Sequence, residues 1–108
     1  MSKGNEIPPL LKKQAEQSLA KFVDQAPKGK VFIATFKGAL VLIQEQVPHP
    51  KNAKPLNLPY ALLDYTDQGW QLLFRGNSGQ WQLMPGDLPS AHIEEKLEQI
   101  RVDAFGVF

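Results

Sequence analysis

The chain contains no cysteine, which excludes disulfides, thiolate metal sites, cysteine nucleophiles and thiol redox relays at once. Arginine is scarce: Arg75 and Arg101 are the whole supply, and arginine is the usual reader of phosphates and base edges. Histidine is confined to His49, between two prolines, and His92. Neither belongs to an H-x-x-x-H pair or a comparable ligand motif, so no metal and no cofactor is expected. Apolar runs are short; none approaches the ~18 residues that span a bilayer, and the start M-S-K-G-N-E-I-P-P has no apolar h-region. These absences predict a soluble, unexported, cytoplasmic protein with no membrane contact.

What is present suffices for one folded unit. A chain of 108 residues can remove roughly two-thirds of its unfolded surface from water without a staple, and we read residues 1–108 as a single domain with residues 1–7 flexible. The net charge of +1 conceals an asymmetry: residues 1–54 hold nine Lys against four acids, and residues 55–108 hold three basic residues against seven acids. Such a distribution is compatible with a nucleic-acid face, with a head-to-tail protein contact, or with ordinary solvated surface.

Hydrophobic periodicity sets the element order. From Pro8 to about Gln25, Leu11, Ala15, Leu19, Phe22 and Val23 recur at spacings of three and four, a helix stripe that Pro27 and Gly29 terminate. K-V-F-I-A-T-F and A-L-V-L-I-Q-E-Q flank Lys37-Gly38 and read as a hairpin. Residues 47–58 are proline-rich, lack periodicity and read as a surface loop, the segment with room for function. Y-A-L-L-D-Y-T then leads into two runs that open with tryptophan, Trp70 after Asp67-Gln68-Gly69 and Trp81 after Gly76-Asn77-Ser78-Gly79. Gly69 suits the left-handed conformation that closes a bulged hairpin. Alternation groups Trp70, Leu72 and Phe74, and this reading places Trp81 and Leu83 with them on a core face. A final helix follows Ser90, the expected N-cap, with Leu88 as a staple and Ile93, Leu97 and Ile100 on its stripe. The fold class is therefore α+β: a five-stranded antiparallel meander with an N-terminal and a C-terminal helix packed on one face, the other partly open.

Chemistry-bearing patterns are weak. Ser78 in G-N-S-G precedes a strand and lacks the G-x-S-x-G pattern, and no G-K-[ST] follows any glycine pair. Asp64 interrupts an apolar run; if it faced inward, desolvation would raise its pKa and Glu45 on a nearby strand could serve as its acid–base partner. The competing reading puts Asp64 on the outer face. For nucleic acid, Lys28, Lys30, Lys51 and Lys54 with strand aromatics loosely evoke a base-stacking sheet, without the pattern of the RNA-binding sheet.

The order Pro59-Tyr60-Ala61, Tyr65, Trp70-Gln71-Leu72, Trp81, a helix bearing Leu97 and the ending Asp103-Ala104-Phe105-Gly106-Val107-Phe108 resembles a small family of uncharacterised bacterial proteins classed as a domain of unknown function, matching mainly the second half of the chain. The chain departs from that family's pattern at Leu62, where a basic residue is usual, and near Phe74, where family members carry a second Trp. The resemblance implies no activity, substrate or catalytic residue. The expected function is a non-catalytic protein-interaction module that self-associates as a homodimer or meets another protein; nucleic-acid association through the lysine-rich half is the alternative, and an enzyme using Asp64 and Glu45 the third reading. The apolar tail carrying Phe105, Val107 and Phe108 is expected to dock on its own domain or a neighbour's.

Overall fold

In the computed structural model, which describes residues 6–49, 51, 54–76 and 79–103, the chain runs α1 (Pro9–Asp24), β1 (Val31–Lys37), β2 (Leu40–Val47), β3 (Leu56–Thr66), β4 (Gly69–Arg75), β5 (Trp81–Leu83) and α2 (Ile93–Val102). The strands form one antiparallel sheet in chain order, β1-β2-β3-β4-β5. This is the expected α+β meander with a helix at each end. The apolar tail, residues 104–108, lies outside the described residues, as do residues 1–5.

Pro9 occupies the first turn of α1, where a missing N–H costs nothing, and the Pro8 carbonyl accepts the Lys12 N–H at 2.8 Å. The stripe packs as its spacing requires: Ala15, Leu19 and Phe22 are buried, with Leu11 and Val23 partly so. Ile7, just before the helix, is buried in the same core, so the segment expected to be flexible is anchored at its end. In α2, Ile93, Leu97 and Ile100 are buried. Strand residues of one parity complete the core: Phe32 on β1, Val41 and Ile43 on β2, Ala61 and Leu63 on β3, Trp70 and Leu72 on β4, with Met84 just past β5. Both helices thus cover the same face of the sheet.

Several local expectations shift. The first hairpin turns at Gly38-Ala39, since Lys37 pairs with Leu40. Gly38 has φ +60° and Ala39 does not have a positive φ, the pattern of a type II′ turn. Gly69 has the expected positive φ, +119°, and a second reason to lack a side chain: a Cβ there would lie 2.5 Å from the Ser90 carbonyl oxygen. Trp70 and Ser90 exchange two backbone hydrogen bonds, at 2.7 and 3.0 Å, which fasten the β5–α2 connection to β4.

Ser90 is not the N-cap; His92 is, without a side-chain bond. The Ser90 hydroxyl accepts the His92 N–H at 3.1 Å and donates to Glu95 Oε1 at 2.9 Å, holding the turn before the helix. Leu88 is 77% exposed and makes no staple.

The proline-rich connection is shorter than its composition suggests. Val47 and residues 56–58 lie in strands, and β3 runs on through Pro59. A central strand normally rejects proline because the ladder loses a donor. Residues 56–59 pair only with β2, however, whereas β4 pairs with β3 from Leu62 onward, so this half of β3 is locally an edge. A register shift opposite Ile43 and Gln44 leaves Tyr60 as the extra residue, and the bulge turns it toward Phe32, ring centroids 4.8 Å apart.

Candidate interaction surface

The β4–β5 register decides what the open face of the sheet carries. Leu73 pairs with Leu83, Phe74 with Gln82 and Arg75 with Trp81. Paired residues share a face, so Trp81 and Leu83 lie with Leu73 and Arg75, opposite the face of Trp70 and Leu72. This corrects the sequence-based placement of Trp81 and Leu83 on the core face: Trp70 is buried as expected, whereas Trp81 is only partly buried and Leu83 is exposed. Alternation within each strand is fixed by the pleat, but the phase between strands is set by their register, and the pairing of Arg75 with Trp81 reverses it. The core position expected of Leu83 falls instead to Met84, whose N–H donates to the Leu72 carbonyl at 3.1 Å.

The outer face is consequently apolar along one line. Thr35 pairs with Leu42, Leu42 with Leu62, Leu62 with Leu73 and Leu73 with Leu83, so four leucines on four adjacent strands stand in register. Val31, Ile33 and Leu40 share the face, as does Trp81. Leu83 is 54% exposed and Val31 51%, while Leu42, Leu62 and Leu73 are half-buried only by one another and their neighbours. The hydrophobic core draws on none of these residues. Charge on the face is sparse and mixed: Lys37, Asp64 and Arg75, whose guanidinium lies over the Trp81 ring, 5.8 Å from its centroid.

Asp64 sits in this face, paired with Leu40 on one side and Gln71 on the other. Burial by its apolar neighbours pushes its carboxyl above the ordinary aspartate range. Glu45 does not join it. Glu45 has the opposite parity, pairs with Phe32 and Leu58 at the far end of the sheet, and the structure brings it toward Tyr60 instead. The Tyr60 phenol is pushed up first by burial and then by the Asp103 and Glu45 carboxylates. The two carboxylates singled out as an acid–base pair thus lie on opposite faces.

The four lysines do converge. The α1–β1 connection carries Lys28 and Lys30, the β2–β3 connection carries Lys51 and Lys54, and Val31 pairing with Gln46 and Val47 with Leu56 brings the two to one end of the sheet. Lys28, Lys51 and Lys54 are exposed, and the Lys30 ammonium lies 5.5 Å from the Tyr60 ring centroid. With Glu45 and Asp103 acting on the same tyrosine, this end is mixed in sign rather than uniformly basic. His49 is here too, its Nδ1 accepting the Lys51 N–H at 3.0 Å.

Composition did not announce one further cluster. Lys96 is 3% exposed, and its ammonium pairs with Asp87 Oδ1 at 2.8 Å and donates to the Leu88 carbonyl. Gln99 Nε2 donates to Asp87 Oδ1 at 2.9 Å, and the Leu72 N–H reaches Asp87 Oδ2 at 3.3 Å. Spacing held a signal for it: Lys96 falls three residues after Ile93 and four before Ile100, on the apolar stripe of α2. With every partner supplied by the protein, the cluster is a clasp between α2 and β4.

A groove of about 510 Å³ runs between α1 and β1, lined by Leu19, Val23, Phe32, Ala34 and Phe36 together with Glu16 and Asp24. Both acids are exposed, and the groove lacks the convergent polar groups that orient a small ligand. Among the described residues, no helix is long and apolar enough to cross a membrane.

The chain belongs to the family described as Domain of unknown function (DUF3024), whose profile matches residues 6–108, a wider span than the second half that carried the resemblance. No curated protein and no solved structure matches the chain.

Proposed function

We propose that the chain is a non-catalytic protein-interaction module that self-associates through the outer face of its sheet. The observation that carries this reading is the in-register row Leu42, Leu62, Leu73 and Leu83 on the face that the helices leave uncovered. Monomeric proteins seldom expose a contiguous apolar patch above a few hundred Å², and larger ones mark docking sites. Each large aliphatic side chain taken fully from water contributes roughly 1.5–3 kcal/mol, so a second copy supplying the same surface gains on both sides of the contact. Sedimentation equilibrium at micromolar concentration is expected to give about twice the 12.1 kDa chain mass. A monomer under those conditions overturns the reading.

A second reading, nucleic-acid association, draws on the meeting of Lys28, Lys30, Lys51 and Lys54 at one end of the sheet. Its test is submicromolar binding to single- or double-stranded nucleic acid near physiological salt, lost on joint replacement of those lysines. Binding confined to low salt does not support it, because any lysine patch releases counterions there.

A further inference from the structure

We infer that two copies pack their sheets face to face about a two-fold axis that runs along the leucine row, so that Asp64 of each copy meets Arg75 of the other. This rests on the self-association proposed above and adds the geometry of the contact.

The inference follows from the register of the outer face. On one side of the leucine row stands the line Lys37, Leu40, Asp64, Gln71, one same-face step further along each strand. On the other side stand Ile33 and Gln44 on β1 and β2 and Arg75 beside Trp81 on β4 and β5. Rotation by half a turn about the leucine row exchanges these two flanks. It lays each leucine against its own counterpart and brings the flank holding Asp64 onto the flank holding Arg75. Asp64 is on β3 and Arg75 on β4, one strand spacing of about 4.8 Å apart across the sheet, which an arginine side chain spans.

The competing axis runs along the strands and keeps each flank against itself. Centred on β3, it sets Asp64 against Asp64, two carboxylates facing each other in an apolar seam. The charges of the face therefore select between the two arrangements, as complementary charge selects register in other interfaces. In the single chain the Arg75 guanidinium rests over the Trp81 ring on β5, so meeting Asp64 swings it from there across β4 toward β3. The burial that already disfavours the charged form of Asp64 is offset once a guanidinium arrives opposite it.

Area is adequate but not generous. A face five strands wide at about 4.8 Å, with runs of about seven residues at 3.3 Å, covers roughly 500 Å² per copy before side-chain relief. The pair then buries on the order of 1,000 Å², the threshold for a specific contact. At that size the two symmetric charge pairs weigh heavily in choosing register.

Charge reversal tests the pairing on the full chain, read by sedimentation velocity across a concentration series, with circular dichroism to confirm folding. Asp64→Arg alone and Arg75→Asp alone are each expected to weaken dimerisation at least tenfold, and the double variant D64R/R75D to restore it to within about threefold of the original. Single variants that dimerise normally, or a double variant that fails to recover, overturn the axis while leaving self-association standing. A wild-type monomer overturns both. Cross-linking gives a readout independent of charge, since the chain has no cysteine and one engineered thiol reports on itself alone. With sheets about 10 Å apart, a short bismaleimide should join Leu62→Cys chains, because Leu62 lies on the axis. It should leave Leu40→Cys chains separate, because their counterparts are displaced by about four residues along the strand, roughly 13 Å. The reverse preference overturns the axis.

Discussion

At the scale of single residues, Trp70 and Trp81 open their strands in the same way and are used differently. Trp70 is 2% exposed and packs edge-on against Tyr65, with ring centroids 5.0 Å apart; truncation to Ala should cost about 3–5 kcal/mol. Trp81 is only partly buried in the single chain, so its truncation should cost the monomer about 1 kcal/mol. Urea denaturation at high dilution separates the two, and equal costs would place both rings in the core. The buried Lys96 makes a sharper case. Replacing Asp87 by Ala leaves an ammonium without its counter-charge and removes the acceptor for the Leu72 N–H, and the expected loss is about 3–5 kcal/mol. Lys96→Met keeps the stem in place and removes the charge, so it should cost clearly less than Asp87→Ala. If Lys96→Met proved the more damaging, the clasp would be a net source of stability rather than a satisfied burial.

At the scale of elements, what composition made legible were the periodicities inside each segment, and what it hid were the relations between segments. The stripes of α1 and α2 and the alternation of β4 are local facts of backbone geometry, and the structure keeps them. The phase of β5 against β4 depends on the register between the two strands, in which Arg75 pairs with Trp81, and it reversed the face of Trp81. The β3 strand passes through Pro59 because β4 stops short of it, which only the sheet's outline reveals. Asp64 and Glu45 were separable by parity only once the register on β2 was known.

The helices are tied by a contact of the same long-range kind, between the Ser18 hydroxyl of α1 and Glu94 of α2, at 2.5 Å. That hydroxyl is the main reason the Glu94 carboxyl lies below the ordinary glutamate range. A carboxyl depressed on folding adds stability that is present above its unfolded pKa and is lost as pH falls through its folded one. Ser18→Ala should therefore raise the Glu94 titration midpoint toward the ordinary value and reduce stability slightly at neutral pH, with the difference from wild type closing in acid. Because Glu94 is exposed, solvent screens the effect, and NMR titration of its carboxyl is the measurement to make. A midpoint that stays put would assign the depression to the Glu94 backbone N–H together with the charges of His92 and Lys21.

At the scale of the whole molecule, a two-layer fold with both helices on one face has to account for the other. Leu42, Leu62, Leu73 and Leu83 are positioned by the same register that builds the core, yet none of them belongs to it, so their contribution to stability depends on what covers them. If a second copy does, folding and association are linked, and the apparent stability of the wild type must rise with its own concentration. A hundredfold increase through the dissociation range should add about 1–2 kcal/mol per chain, and each 1 kcal/mol moves the melting temperature by roughly 4–8 °C in a domain of this size. Leu73→Lys should abolish that dependence. Its long stem can lie along the sheet with the ammonium in water, so the monomer loses little, whereas two ammonium groups cannot meet across a dry seam. The variant should then melt at one temperature at every concentration, close to the dilute limit of the wild type. Parallel slopes for the two proteins would mean that association uses another surface, and a flat wild-type curve would mean that this face works uncovered.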